Sequence, residues 1–304
     1  MKKTHSPLRA AIGIDLGGTC IKGALVSLDS GEVLRTASAE TEDGRPDAWQ
    51  KAVFEMVDGL EKKAAAPVAG IGLAAPGLVN DEHTAIAFMP GRMAGLAGLD
   101  WSRLLGAPVR VINDAHAALA AEVKYGAAKG LRNAVMLTLG TGVGGGIWLN
   151  GNLVKGFASR AGHLGHISLN ASSLELGITG TPGSLENAIG NITVSQRTFG
   201  RYADTEKLLQ GYRAGDPVAV WAWMESVKNL AAALASLINV FSPEAIVLGG
   251  GVVRAGEFLF TPLKEFLDVF EWKPTGVATP VLKARFDEWS GAIGAAASVE
   301  LTCK

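Results

Sequence analysis

The chain alternates between short apolar runs that break at glycine and longer segments with helical spacing. "AIGIDL" (11–16) and "IKGALVSL" (21–28) read as strands on either side of "GGTC". "DSG" then turns the chain into "EVLRTASAET" (32–41), whose alternation predicts a third strand. Pro46 to Lys63 predicts a helix with the proline in its first turn. "VAGIGLAAP" (68–76) and "APVRVIND" (107–114) read as further strands, and "AHAALAAEVKY" (115–125) as a helix of strong formers stopped by Gly126. The order then restarts. "NAVMLTL" (133–139) and "GIWLNGNLV" (146–154) flank "GTGVGG". A long helix is expected over 217–241, capped by Asp216 and followed by Pro243. A strand at 244–249, a Gly triplet, a helix around 256–270, a strand at 280–286 and a terminal helix at 291–301 complete the pattern.

"DLGGTCIKGALV" (15–26) and "TLGTGVGGGIWL" (138–149) therefore look like one local unit used in two halves of a duplicated αβ architecture. Only three aligned positions are identical, Leu16/Leu139, Gly17/Gly140 and Gly23/Gly146, so the likeness lies in pattern rather than in residues. A strand–glycine–strand turn exposes backbone N–H groups with no Cβ in the way and forms a concave nest for anions. One such turn holds a phosphate poorly. Two matched turns and the third cluster "LGGGVV" (248–253) together suggest a polyphosphate, although tight hairpins alone would give the same sequences. No Gly-Lys-Ser/Thr phosphate loop occurs, and "GTGVGG" lacks the strand–helix setting of a dinucleotide fold.

Composition narrows the class. The 304 residues are 48% hydrophobic and 19% charged, which suits a globular chain of roughly two domains. A net charge of −1 gives no electrostatic footprint for nucleic acid. The uncharged stretch 133–154 is long enough to span a membrane but too rich in Gly, Asn and Thr. The N-terminal residues lack a signal-peptide core, and two cysteines, Cys20 and Cys303, give no disulfide framework. A cytoplasmic protein without membrane or nucleic-acid partners is expected.

Three places carry candidate chemistry. Asp15 lies at the first glycine turn, where an acid is compatible with phosphate if Mg²⁺ stands between them; a turn aspartate bonding its own backbone is the alternative. Lys22, just past that turn, faces either the phosphate or solvent. Asn113 and Asp114 fall where a strand becomes a helix. Either is a natural N-cap, but ligands of αβ folds collect at such strand ends. A carboxylate there can accept the proton of a hydroxyl that attacks a γ-phosphate. "AGHLGH" (161–166) and "GTPGSLENAIGN" (180–191) add His163, His166 and Glu186. Without a nearby cysteine the histidines suit hydrogen bonding to a hydroxyl-rich ligand better than zinc, and Glu186 also suits a helix N-terminus by charge.

Taken in order, "IGIDLGGTCIKGALV", "GIGLAAPGLV", "VINDAHAALAAEVKYGAAKG", "LTLGTGVGGGIWLNGNLVKG", "AGHLGH", "GSLENAIG" and "INVFSPEAIVLGGGVV" resemble the successive motifs of the ROK family of sugar kinases and repressors, from about residue 11 to about 298. The resemblance implies an α/β fold of two ribonuclease-H-like, actin-like ATPase domains around an interdomain cleft. The smaller would span 1–114, with a terminal helix near 290–304 packed back on it, and the larger 115–289. It further implies ATP with Mg²⁺, phosphorylation of a hexose or amino-hexose, usually at the 6-hydroxyl as in glucokinase or N-acylhexosamine kinases, and a homodimer. Carried over by position, Asp114 is the catalytic base and Asn113, His166 and Glu186 are sugar ligands. Gly17, Gly18 and Thr19 with Gly140, Thr141 and Gly142 are the phosphate loops, and Gly249 and Gly250 touch the nucleoside.

Three departures stand out. The segment between His166 and Glu186 has none of the family's zinc-binding cysteines, so no zinc is expected. His163 stands where the family usually has glutamate, and a histidine can donate as well as accept. "FMPGRMAG" (88–95) lacks the usual Asn-Leu pair and offers Arg92, which either serves an anionic or substituted sugar or lies on the surface. The competing readings are a sugar-responsive repressor, which would need a DNA-binding domain ahead of the first strand, a sugar- or nucleotide-binding protein that has lost catalysis, and a motor-like ATPase. The polar segments around His163 and Glu186 favour a small polyol ligand over the last.

Overall fold

The computed structural model describes residues 9–301, so Cys303 lies outside the described residues. Three strands come first, β1 (Ala10–Leu16), β2 (Cys20–Ser27) and β3 (Val33–Glu40), then α1 (Pro46–Glu61). Next come β4 (Ile71–Ala75), the short strands β5 (Leu78–Val79) and β6 (Ile86–Phe88), α2 (Trp101–Leu105), β7 (Val109–Asn113) and α3 (Asp114–Tyr125). The second half runs β8 (Ala134–Leu139), β9 (Val143–Leu149), β10 (Asn152–Leu153), α4 (Leu185–Ile189), α5 (Val194–Arg197), α6 (Thr205–Arg213) and α7 (Pro217–Phe241). It ends with β11 (Ala245–Gly249), α8 (Glu257–Phe270), β12 (Val281–Lys283) and α9 (Ser290–Ser298). The apolar stretch at 133–154 is thus strand and turn, and among the described residues no helix is long and apolar enough to cross a membrane.

The described residues divide into two compact units, one of residues 9–130, 152–161 and 285–301, the other of 131–151 and 162–284. The first is built on a five-stranded sheet in the order β3-β2-β1-β4-β7. β1–β3 form an antiparallel meander, as their short turns require, and β1, β4 and β7 run parallel. Alternation along β1 splits the core between two faces. Ile12, Ile14 and Leu16 meet Trp49, Val53 and Leu60 of α1 on one side. Ala11 meets Ala292, Ile293 and Ala296 of α9 on the other. The α9 side is packed backbone to backbone: a side chain on Gly13 or Gly72 would run into the main chain of Ala292 or Ala295. Only an Ala/Gly helix, "SGAIGAAAS", fits so tightly.

The resemblance implies a domain boundary after Asp114, whereas the contacts keep α3 with the first unit. The reason is small-residue packing, with the Ala117 carbonyl lodged against Gly294 of α9. Glu122, on α3 and fully buried, joins this unit together. Its Oε1 accepts the N–H groups of Arg285 and Phe286 at 2.8 and 3.1 Å, and Oε2 that of Ala127 at 2.7 Å. Those bonds also explain why the expected strand at 280–286 stops at Lys283: the next free N–H groups turn to a carboxylate rather than to a neighbouring strand.

Within the second unit β9, β8, β11 and β12 lie in that order, β8–β9 antiparallel and β8–β11–β12 parallel. α7 runs 25 residues, capped by Asp216, whose Oδ1 accepts the N–H groups of Val218 and Ala219, and ends at Ser242 in the left-handed region ahead of Pro243.

Replacing Glu122 by alanine strands three partly buried N–H groups. Glu122→Ala is expected to lower the unfolding free energy by about 3 kcal/mol or more, and Glu122→Gln, which keeps an acceptor, by less. Denaturant titration of the three proteins checks this order, and an alanine variant as stable as the parent would contradict it.

Candidate active site

The parallel register sets the first half of the site. Asp15 on β1 pairs with Ala74 of β4, and Ala75 of β4 pairs with Asn113 of β7, so the ends of β1 and β7 meet at one edge of the sheet. Asn113 and Asp114 divide the work there. Asn113 is buried and is the N-cap of α3: its Oδ1 accepts the N–H groups of Ala115 and His116 at 3.0 and 3.2 Å, and its Nδ2 donates to the Gly77 carbonyl at 3.2 Å. With Asn113 as the cap, Asp114 becomes the first helical residue and is exposed, its Oδ1 2.8 Å from the Ala115 nitrogen.

Asp15 sits differently. Its carboxylate packs against Gly291 in the first turn of α9. Burial, reinforced by the neighbouring Asp114 carboxylate and opposed by Lys22, raises its pKa from the ordinary carboxylate value to about 7. The two acids thus share one field, and Asp114 is the more open to solvent.

The first glycine turn follows Asp15. Gly17 donates to the Cys20 carbonyl at 3.2 Å, and Thr41, just past β3, ties the turn back: its hydroxyl donates to Gly17 O at 2.6 Å and its N–H to Thr19 O at 3.0 Å. The N–H groups of Gly18 and Thr19 make no hydrogen bond among the described residues. Lys22 turns away, its ammonium 2.9 Å from Glu288 Oε2 and 3.2 Å from the Glu288 carbonyl. Cys20 carries a free thiol.

The second unit repeats the device with other residues. Gly140 donates to Gly142 O at 2.9 Å, while Asn191 and Ile192 donate to the carbonyls of Gly140 and Thr141, each at 2.9 Å. The N–H groups of Thr141 and Gly142 make no hydrogen bond among the described residues. Beside this turn, Glu186 Oε2 accepts the Val143 N–H at 2.9 Å and occupies the space a side chain on Gly142 would need. Gly249 ends β11, and Gly250, at φ 89°, lies with its Cα against the backbone of Leu139 just before the turn. His163 and His166 stack with ring centroids 6.3 Å apart and planes 6° from parallel. Where the zinc cysteines of the family would fall, hydrogen bonds hold the loop: Ser168 Oγ to Pro182 O at 2.7 Å, Leu169 N–H to Gly183 O at 2.8 Å and Gly177 N–H to Thr181 O at 2.8 Å. Among the described residues no group of three or more His, Cys, Asp or Glu is placed to hold a metal ion.

The structure therefore brings Asp15, Gly17, Gly18, Thr19, Asn113 and Asp114 together in one unit. In the other it brings together Gly140, Thr141, Gly142 and Glu186, with Gly250 against Leu139, and stacks His163 on His166. Thr41, Asn191 and Ile192, which hold the two turns, give no sequence signal, because two of them act through backbone N–H groups and the third is one threonine among many.

The ROK family model matches residues 11–301. The chain belongs to the ROK family. It is 33% identical to the glucokinase of Thermotoga maritima over 97% of this chain and 98% of the relative. The ROK hexokinase of Thermus thermophilus superposes with a TM-score of 0.81 at 30% identity, over 95% of this chain and 97% of that one. A ROK glucokinase of Streptomyces griseus, solved with glucose and AMPPNP, gives 0.77 at 29% identity, over 94% and 98%. The fold is accordingly that of the actin-like ATPases.

The raised pKa of Asp15 fixes a stability signature. Its folded form keeps the proton to about pH 7, while the unfolded carboxyl loses it near pH 4, so this group's contribution to stability falls as pH rises through that window. Asp15→Asn removes the titration. The variant should gain stability relative to the parent between pH 4 and pH 7, by at most about 4 kcal/mol. Thermal melts of ligand-free protein across that range test it, and parallel curves for both proteins would contradict it.

Proposed function

We propose that the ROK-family chain is an ATP-dependent sugar kinase that transfers the γ-phosphoryl group to a hexose or amino-hexose hydroxyl, the 6-hydroxyl as in a glucokinase. The observation that carries this reading is Asp114, an exposed carboxylate fixed at a helix start beside a phosphate-ready glycine turn. The glucokinases and hexokinase among its relatives support it, and a glucokinase neighbour solved with AMPPNP supports ATP as the donor.

In this reaction the sugar hydroxyl gives its proton to Asp114 as its oxygen bonds to the γ-phosphorus, the bridge from the γ- to the β-phosphate breaks, and ADP leaves with that electron pair. A low carboxylate pKa is no handicap, since the base chiefly orients the nucleophile. The backbone N–H groups of Gly18 and Thr19 in one unit, and of Thr141 and Gly142 in the other, are free to bind phosphate oxygens, with Gly249 and Gly250 beside the nucleoside. Asn113, His163, His166 and Glu186 are assigned to the sugar; the caps and bonds that hold Asn113 and Glu186 already fix their orientation.

Mg²⁺ fits the donor set. Asp15 and Asp114 offer oxygen ligands, Asp15 with a pKa raised chiefly by its burial and further by Asp114, and Mg²⁺ typically binds through one or two carboxylates, waters and phosphates rather than a full protein cage. When bound it would neutralise charge on the phosphate oxygens.

Asp114→Asn should fold as the parent does and bind ATP within a few-fold, yet lose sugar phosphorylation by about 10²–10⁴. A coupled ADP-release assay across glucose, N-acetylhexosamines and other hexoses tests this and identifies the acceptor. An unchanged rate in the variant removes Asp114 from the chemistry, and no sugar-dependent ADP release from the parent sinks the kinase reading.

A further inference from the structure

A cation lies on the first glycine turn, and it is not Lys22. Arg92, between β6 and α2, rests its guanidinium on the Cα of Gly18. A side chain on Gly18 would place Cβ 2.8 Å from Arg92 Cζ and nearer still to Nη2. Gly18 is outside the left-handed region, so what the glycine provides here is room for that guanidinium. The segment is anchored rather than loose. Met93 is 2% exposed, its N–H donates to Asp43 Oδ1 at 3.0 Å, and Asp43 Oδ2 lies 3.8 Å from Arg92 Nε. Asp43 follows Thr41, the residue that ties back the same turn. Arg92 remains 48% exposed and, with Asp43, Met89 and Gly95, lines an open cavity of about 400 Å³.

The charge around the turn points the same way. Asp15 and Asp114 share this edge of the first unit. Asp43 adds a third carboxylate beside the turn. A terminal phosphate arriving there needs positive charge beyond a metal ion, and Lys22 is committed to Glu288. A guanidinium presents paired N–H donors in a plane that matches two phosphate oxygens.

We propose that Arg92 is a phosphate-contacting residue, hydrogen-bonding the oxygens of the terminal phosphoryl group at the Gly17–Gly18 turn. The inference builds on the kinase reading, because the phosphate that meets a hydroxyl held by Asp114 is the one transferred, and this turn shares a unit with Asp114. Arg92 takes no part in the bond changes of transfer, gives up no proton and compensates charge throughout.

The test compares AMPPNP with ADP, each with Mg²⁺, by calorimetry on the parent, Arg92→Lys and Arg92→Ala. AMPPNP carries the terminal phosphate and ADP does not. Arg92→Ala should weaken AMPPNP about tenfold more than ADP, with Arg92→Lys in between because lysine keeps the charge but not the fork. In turnover, Arg92→Ala should lower kcat with every accepted sugar, neutral glucose included, while the KM for sugar stays within about twofold. Gly18→Ala, which displaces the guanidinium, should reproduce the AMPPNP defect, and adding it to Arg92→Ala should cost little more. Equal effects on AMPPNP and ADP overturn the proposal. So does a kcat loss confined to acidic sugars, which would make Arg92 a substrate selector. If the parent turns over no sugar, the kinase reading fails, and the AMPPNP-to-ADP ratio still decides the role of Arg92.

Discussion

The parallel alignment of β1, β4 and β7 is the constraint on which the first unit's chemistry depends. It brings Asp15 and Asp114 to one sheet edge although 98 residues separate them in the chain. Folding buries Asp15 and sets the Asp114 carboxylate beside it, so Asp15 retains a proton to about pH 7. That arrangement is poorly suited to a structural role, since nearby apolar side chains would pack the edge more favourably. It suits a site that receives a cation and a phosphate together. The cost is met by the packing behind it: α9 lies so close to β1 and β4 that Gly13 and Gly72 admit no side chain, and Glu122 fastens α3 to the returning chain.

Both units make a phosphate-ready turn in the same way with different parts. A strand ends, a glycine donates back across the turn, and a neighbouring segment takes the turn's carbonyls. Thr41 does this in one unit, Asn191 and Ile192 in the other. Carbonyls drawn back leave N–H groups pointing outward, the polarity an anion requires. Because the device is built from backbone, the two copies need share little sequence, which accounts for three identities across twelve aligned positions.

The strands, the long helix with its Asp216 cap and the two glycine turns were legible because each rests on local chemistry: alternation, caps and glycine. What stayed hidden depends on distance along the chain. The side chain of Arg92 looks like a surface residue until the fold brings it onto Gly18. Glu122 falls in a helix of alanines where solvent exposure would be the ordinary expectation, yet it is fully buried. Lys22, next to the turn in sequence, is drawn off by Glu288. At "IND" the sequence offers two caps in succession, and the structure uses Asn113, which moves Asp114 from capping into the open. Adjacent residues thus play unlike parts, a distinction that residue type alone cannot make.

A crystal structure of the protein with AMPPNP, Mg²⁺ and glucose tests the central claim most directly. The account predicts the terminal phosphate on the N–H groups of Gly18 and Thr19, Mg²⁺ toward Asp15, and a glucose hydroxyl within hydrogen-bond distance of Asp114. Phosphates seated away from both glycine turns, or a sugar whose hydroxyls all lie beyond reach of Asp114, would contradict it.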